Sequence, residues 1–120
     1  MISELYKWIS WLVNEFNFDG IRIDTARHVR HDFWDGFTRS SGVFSIGEIP
    51  DGNAYFVGSY QGHMDSTLGF PLYFRMRDLY TGGNMYGIRD IINDNRKAFN
   101  DTRLLGNFVD CHDQEVWRKF

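Results

Sequence analysis

Gly20-Ile21-Arg22-Ile23-Asp24-Thr25-Ala26-Arg27-His28 is the stretch that decides how the rest of the chain is read. Its first five residues form a short, β-prone segment. Side chains alternate between faces along a strand, so Ile21 and Ile23 share one face and can pack on helices. Arg22 and Asp24 point together to the other face. A guanidinium within a strand needs an anionic partner, because an unpaired charge withdrawn from water is too costly. An acidic side chain is therefore expected beside Arg22.

Upstream, Ile2, Leu5, Ile9, Leu12 and Phe16 recur at helical spacing and predict an amphipathic helix ending around Asn17 and Gly20. Glu4, Lys7 and Glu15 interrupt this segment, so it does not read as a signal peptide. Downstream, residues 25–39 read as helix, with Val29, Phe33 and Phe37 on one face, and Gly42 as the break. Residues 43–49 form the next strand, followed by the turn residues Pro50, Asp51, Gly52 and Asn53. Residues 54–64 read as an aromatic loop. A third strand is expected around residues 66–70 and a helix over 72–80, stopped by Gly82 and Gly83. Ile88, Ile91, Ile92 and Phe99 predict another helix, and residues 104–110 a last strand. Strands separated by helices of this length predict an α/β fold of parallel units with right-handed crossovers.

Composition narrows the function. The chain has 120 residues and a net charge of −3, with no basic excess to neutralise phosphates, so nucleic acid is not the expected partner. No apolar stretch approaches the roughly 20 residues of a membrane-spanning helix, so no membrane partner is expected. The single cysteine, Cys111, excludes an internal disulfide framework and is read as a buried thiol. The aromatic share of 18% exceeds what a small core needs, and part of it is expected to line a binding surface.

Carboxylates fall at strand ends. The first strand ends in Asp24, the second in Glu48, and the last runs into Asp110-Cys111-His112-Asp113. In parallel β/α architectures the C-terminal strand edge carries the active site. Several carboxylates there suit glycosidic bond cleavage, in which one acid attacks or stabilises the sugar carbon and another protonates the departing oxygen.

These motifs resemble the α-amylase family, glycoside hydrolase family 13. Residues 20–28 are similar to its nucleophile segment, Gly47-Glu48-Ile49-Pro50-Asp51 to its acid/base segment, and Phe108-Val109-Asp110-Cys111-His112-Asp113 to its signature ending in His-Asp. His31-Asp32-Phe33-Trp34, Tyr60-Gln61 and Phe70-Pro71-Leu72-Tyr73 are similar to fungal-type members. The resemblance implies that Asp24 is the nucleophile, Glu48 the acid/base and Asp113 the carboxylate that holds sugar hydroxyls and stabilises the transition state. It implies that Arg22 orients the nucleophile and that His112 binds the sugar beside the cleaved bond. Arg27 and His28 fall on the leaving-group side, and Gly52 where backbone meets sugar. The His28 main-chain carbonyl corresponds to one ligand of the family's structural calcium, whose other ligands lie mostly outside this chain. The substrate implied is an α-1,4-glucan such as starch or glycogen, cleaved internally with retention. Tyr55, Phe56 and Tyr60 are expected to stack on glucose rings.

The same resemblance exposes a shortfall in length. A (β/α)₈ barrel takes about 200–250 residues, and this chain supplies about four β/α units, the family's strands four to seven, as a partial barrel domain over residues 1–120. Such a piece has open strand edges and an uncovered apolar face. It is expected to be unstable alone, to associate with itself, or to belong to a longer product, with weak or no activity in isolation. Complete relatives are often secreted, which makes an extracellular whole protein the expectation. Secreted fungal members carry a cysteine pair where Gly58 and Phe99 stand, so that disulfide cannot form here, and Gln114-Glu115 departs from the family's continuation.

The same residues admit other readings. An α-glucosidase or transglycosylase shares these signatures, and a catalytically silent glucan-binding module is a further alternative. A metal-dependent phosphoesterase using Asp24, Asp110 and His112 ranks far below. His28 and His31, three apart on a helix with no third ligand, read as a solvated face. Asn100-Asp101-Thr102 is a glycosylation sequon of low specificity.

Overall fold

A computed structural model describes residues 1–114. Helix α1 (Ile2–Phe16) leads through Asn17, a left-handed C-cap at φ 51°, into strand β1 (Gly20–Ile23). A 3₁₀ turn (Ala26–His28) precedes α2 (His31–Ser41) and β2 (Phe44–Gly47). A short helix α3 (Ala54–Gly58) and a second 3₁₀ turn (Ser59–Gly62) lead to β3 (Ser66–Thr67). Helices α4 (Phe70–Tyr80) and α5 (Met85–Ala98) and a 3₁₀ turn (Thr102–Leu104) follow. The strands form a parallel sheet in the order β1-β2-β3, an open α/β arrangement.

The core lies between this sheet and its helices. Ile23, Ala26, Trp34, Ile49, Val57, Tyr60, Met64, Ile91 and Phe99 are buried together in it. Helix α1 contributes Ile9 and Val13, whereas Ile2, Leu5 and Phe16 of the expected stripe stay exposed. The α1–α2 contact is close. Tyr6 donates to the Phe33 carbonyl at 3.0 Å, and a Cβ on Gly36 would lie 2.4 Å from the Tyr6 ring.

Three local expectations need correction. The helix expected over 25–39 is split, because Thr25 is left-handed and Arg30 is extended at ψ 144°. Of the aromatic segment 54–64, residues 54–62 are ordered helix and 3₁₀ turn, not loop. The Asn53 side chain accepts from the Tyr55 and Phe56 amides at 3.0 and 3.2 Å and so starts α3 as an N-cap. The last expected strand reduces to one bridge, Leu68 with Gly106. The amides of Leu104, Leu105 and Asn107 bond to nearby carbonyls of their own segment, which leaves no ladder to propagate. The expected divergence after Asp113 falls mostly on residues 115–120, outside the described residues.

Segment 104–113 is instead docked by side chains. Phe108 packs against Phe70 and Tyr73, with ring centres 5.0 and 4.9 Å apart. Cys111 is free and buried in the same cluster on α4. Gln61 adds a backbone clamp: its amide nitrogen donates to the Asp101 carbonyl at 2.8 Å and its amide oxygen accepts from the Asp101 N–H at 3.0 Å.

Candidate active site

Register fixes the first two carboxylates. Ile23 pairs with Gly47, so the next residues, Asp24 and Glu48, emerge side by side at the C-terminal edge of neighbouring parallel strands. The pairing continues past the strands, with the Glu48 amide donating to the Ile23 carbonyl at 2.8 Å and the Ala26 amide to the Glu48 carbonyl at 3.1 Å.

Arg22 joins these acids. Its guanidinium lies 2.8 Å from Asp24 Oδ1 and 3.3 Å from Glu48 Oε1. The anionic partner expected for Arg22 is thus two carboxyl groups. Their environments differ: the Glu48 side chain is 8% exposed and the Asp24 side chain 66%. Glu48 Oε2 also accepts the Thr25 main-chain N–H at 3.1 Å. Hydrogen bonding from the Glu48 side chain, and then from Arg22, holds the Asp24 carboxyl below the usual carboxylate range. His112 is near enough for its charge to act in the same direction.

The remaining site candidates have partners of their own. His112 Nε2 lies 3.1 Å from Asp113 Oδ2, and both side chains are largely exposed. Arg27 donates to the Pro50 carbonyl at 3.0 Å, lies 3.6 Å from Asp51 Oδ2 and sits over the Phe56 ring at 5.6 Å. Gly52 is exposed in the same turn, which Asp51 ties by accepting from the Asn53 amide at 2.8 Å. His28 is exposed at the end of its 3₁₀ turn. Tyr55 and Phe56 are exposed, but Tyr60 is not a free ring face. It is buried against His31, with ring centres 4.1 Å apart, and its hydroxyl reaches the Arg27 carbonyl. The expectation that Tyr60 stacks on sugar is therefore corrected: it supports the core beneath Arg27.

Sequence reasoning passed over two features. The Thr25 amide is a second donor to the Glu48 carboxyl, beside Arg22, visible only once its backbone turns left-handed. His63, read as loop, pairs with Asp35 at 2.9 Å and packs on His31, so it belongs to a structural cluster under α2.

An apolar groove of about 460 Å³ flanks Arg22 and Asp24, lined by Trp8, Leu12, Phe18, Ile21 and Phe33. A larger cavity of about 690 Å³ lies at the opposite strand edge, beside Phe44 and Asp65, and holds none of the expected site residues. No group of three or more His, Cys, Asp or Glu side chains is placed to hold a metal among the described residues. Calcium takes six to eight oxygen ligands. The His28 carbonyl would be one ligand of such a set, and the described residues alone do not complete a calcium site. No helix is long and apolar enough to cross a membrane among the described residues.

No family model matches the chain. Individual proteins do. It is 34% identical over 113 residues to α-amylase 1 of Lipomyces kononenkoae, a match covering 92% of this chain and 18% of that protein. It is 38% identical to the β/α-amylase of Paenibacillus polymyxa, covering 92% of this chain and 9% of that one. Among solved structures, an α-amylase from Malbranchea cinnamomea superposes with a TM-score of 0.90 at 35% identity, over 93% of this chain and 24% of that one. The chain thus spans less than a quarter of the length of each of these relatives. A likeness kept over nearly the whole chain, in backbone as well as in residues, identifies this sequence as a partial chain of the α-amylase family.

Proposed function

We propose that the chain carries the reacting centre of a retaining glycosidase that cleaves α-1,4-glucosidic bonds within starch, glycogen or their oligosaccharides. The observation that carries this is the grip of Arg22 on both Asp24 and Glu48 at one strand edge. Asp24 is the nucleophile. Its lowered titration keeps the carboxyl ionised, as attack requires. Glu48 gives its proton to the departing glycosidic oxygen, then takes one from the incoming water. Asp113 and His112 hold sugar hydroxyls at the cleaved ring. Arg27, His28 and Gly52 meet the leaving-group side, and the exposed rings of Tyr55 and Phe56 offer stacking faces beyond it.

Within a complete protein this unit is strands four to seven of a (β/α)₈ barrel. The free outer edge of β1 and the apolar groove beside it are where further sheet would pack. Alone, the chain uses those surfaces to self-associate and turns over weakly or not at all.

The test is labelling of this chain within a complete barrel by an activated substrate, 5-fluoro-α-glucosyl fluoride, followed by peptide mass spectrometry. A covalent adduct on Asp24 is expected. Absence of label, or label on another carboxylate, sinks the assignment. The product profile on soluble starch separates internal cleavage from α-glucosidase or transglycosylase behaviour. Binding of starch without label or products would mark a silent glucan-binding module.

A further inference from the structure

Two non-glycine residues have positive φ among the described residues, and only one is explained by its place in the fold. Asn17 is a helix C-cap, where that conformation is common. Thr25 sits at φ 49° and ψ 34°, although a β-branched side chain strongly disfavours this region. Its side chain is exposed and makes no capping bond to the 3₁₀ turn that it starts. Neither burial nor capping by the threonine accounts for the strained backbone.

The conformation delivers a main-chain donor. The Thr25 N–H meets Glu48 Oε2 at 3.1 Å, while the next amide, of Ala26, meets the Glu48 main-chain carbonyl at 3.1 Å. Glu48 Oε1 faces Arg22 at 3.3 Å. The two oxygens of one carboxyl group are thus held by different donors from the neighbouring strand end, which stops the group from rotating.

We propose that Thr25 is a positioning residue for Glu48, its left-handed backbone aiming an N–H at Oε2 to stabilise the carboxylate that forms as Glu48 releases its proton. This rests on the acid/base role assigned to Glu48 above. In the first step the Glu48 proton passes to the glycosidic oxygen. The bond from that oxygen to C1 breaks, its electron pair stays on the oxygen, and an Asp24 oxygen bonds to C1. An N–H bonds more strongly to a carboxylate than to a neutral carboxyl group. The Thr25 contact therefore strengthens as the reaction advances, and an interaction stronger in the transition state than in the ground state is one that accelerates the step. In the second step water bonds to C1, Asp24 leaves, and the water proton returns to Glu48.

The test is spectroscopic and does not need turnover. The chain is labelled with ¹⁵N and ¹³C, and the coupling across the hydrogen bond from Thr25 nitrogen to Glu48 Cδ is measured. Wild type is compared with Glu48→Gln, with Thr25→Gly, and with a chain in which an ester replaces the Thr25 amide and removes only its N–H. The wild type is expected to show the coupling and a Thr25 amide proton that moves downfield as pH is raised and Glu48 loses its proton, a movement absent in Glu48→Gln, whose acceptor stays uncharged. Thr25→Gly is expected to keep the coupling, because glycine adopts positive φ without strain. The ester is expected to displace the Glu48 Cδ resonance while amide shifts in β2 stay fixed. A wild-type chain without the coupling, or an ester that leaves Glu48 Cδ unmoved, overturns the proposal. Asp24 left unlabelled by the glucosyl fluoride with the coupling intact would remove the glycosidase reading alone. Label on Asp24 without the coupling would remove only the role of Thr25.

Discussion

The two pairs of candidate residues, Asp24 with Glu48 and His112 with Asp113, are held by different means. Asp24 and Glu48 stand on adjacent strands, in register, cross-linked by one arginine and by main-chain bonds that continue past the strand ends. His112 and Asp113 hang from a segment with a single bridge to the sheet, and they bond to each other in the open. What positions them is apolar packing one to five residues earlier, through Phe108 and Cys111 on α4. The first pair is set by backbone geometry and the second by anchored side chains. A residue on a hydrogen-bonded ladder has little freedom, whereas one beyond its last anchor keeps most of its conformational entropy.

That contrast can be broken by experiment, and chemistry gives the largest effect. Glu48→Gln is expected to lower turnover of an activity-competent form by about 10²–10⁴-fold on substrates with a poor leaving group. The loss should be far smaller on the glucosyl fluoride, whose departure needs little acid assistance. Equal losses on both would mean that Glu48 is structural. Removing the shared cation comes next. Arg22→Met leaves the buried Glu48 carboxyl without its charged partner and is expected to cost about 1–3 kcal/mol in urea unfolding, toward the lower end because Arg22 is itself partly exposed. A cost near zero would mean that the strand ends do not depend on this ion pair.

Acid sharpens the comparison further. The folded-state titration of Asp24 lies below its unfolded value. Its contribution to stability is therefore whole above about pH 4 and is lost as pH falls through the folded value. Asp101, held at about 2 by hydrogen bonds from Arg103, follows the same sign and keeps its contribution to lower pH. Asp24→Asn should flatten the upper part of the acid-unfolding curve and leave the part due to Asp101. A curve unchanged by Asp24→Asn would contradict the pairing. The smallest effect belongs to the other pair. His112→Ala breaks only an exposed pair and should change stability by less than about 0.5 kcal/mol. A large loss would show that His112 is anchored after all.

The placement of Arg22, Asp24 and Glu48 could be read in advance because its constraints are local. Alternation along residues 20–24 put Arg22 and Asp24 on one face, and the cost of an unpaired guanidinium called for an acid nearby. The parallel order put Glu48 at the same edge. Segment 104–110 was misread because an apolar run with β-prone residues does not reveal whether its amides will bond across to a neighbour or within their own segment. Asn53 offered a cap signal for α3 that the aromatic composition of 54–64 masked. Tyr60 shows the limit from the other side. Its type suits sugar stacking, and only the packing of His31 and Phe56 around it makes it core.

Periodicity, charge and turn residues were enough to establish an α/β chain with carboxylates at its strand ends, since those features follow from contacts a few residues apart. Folding in three dimensions decided that Thr25 turns left-handed to reach Glu48, that Tyr60 faces inward, and that His112 and Asp113 are carried on side-chain anchors and not on a strand. Each of these depends on groups more than twenty residues distant in the chain, whose approach is fixed by packing and by competition for backbone hydrogen bonds.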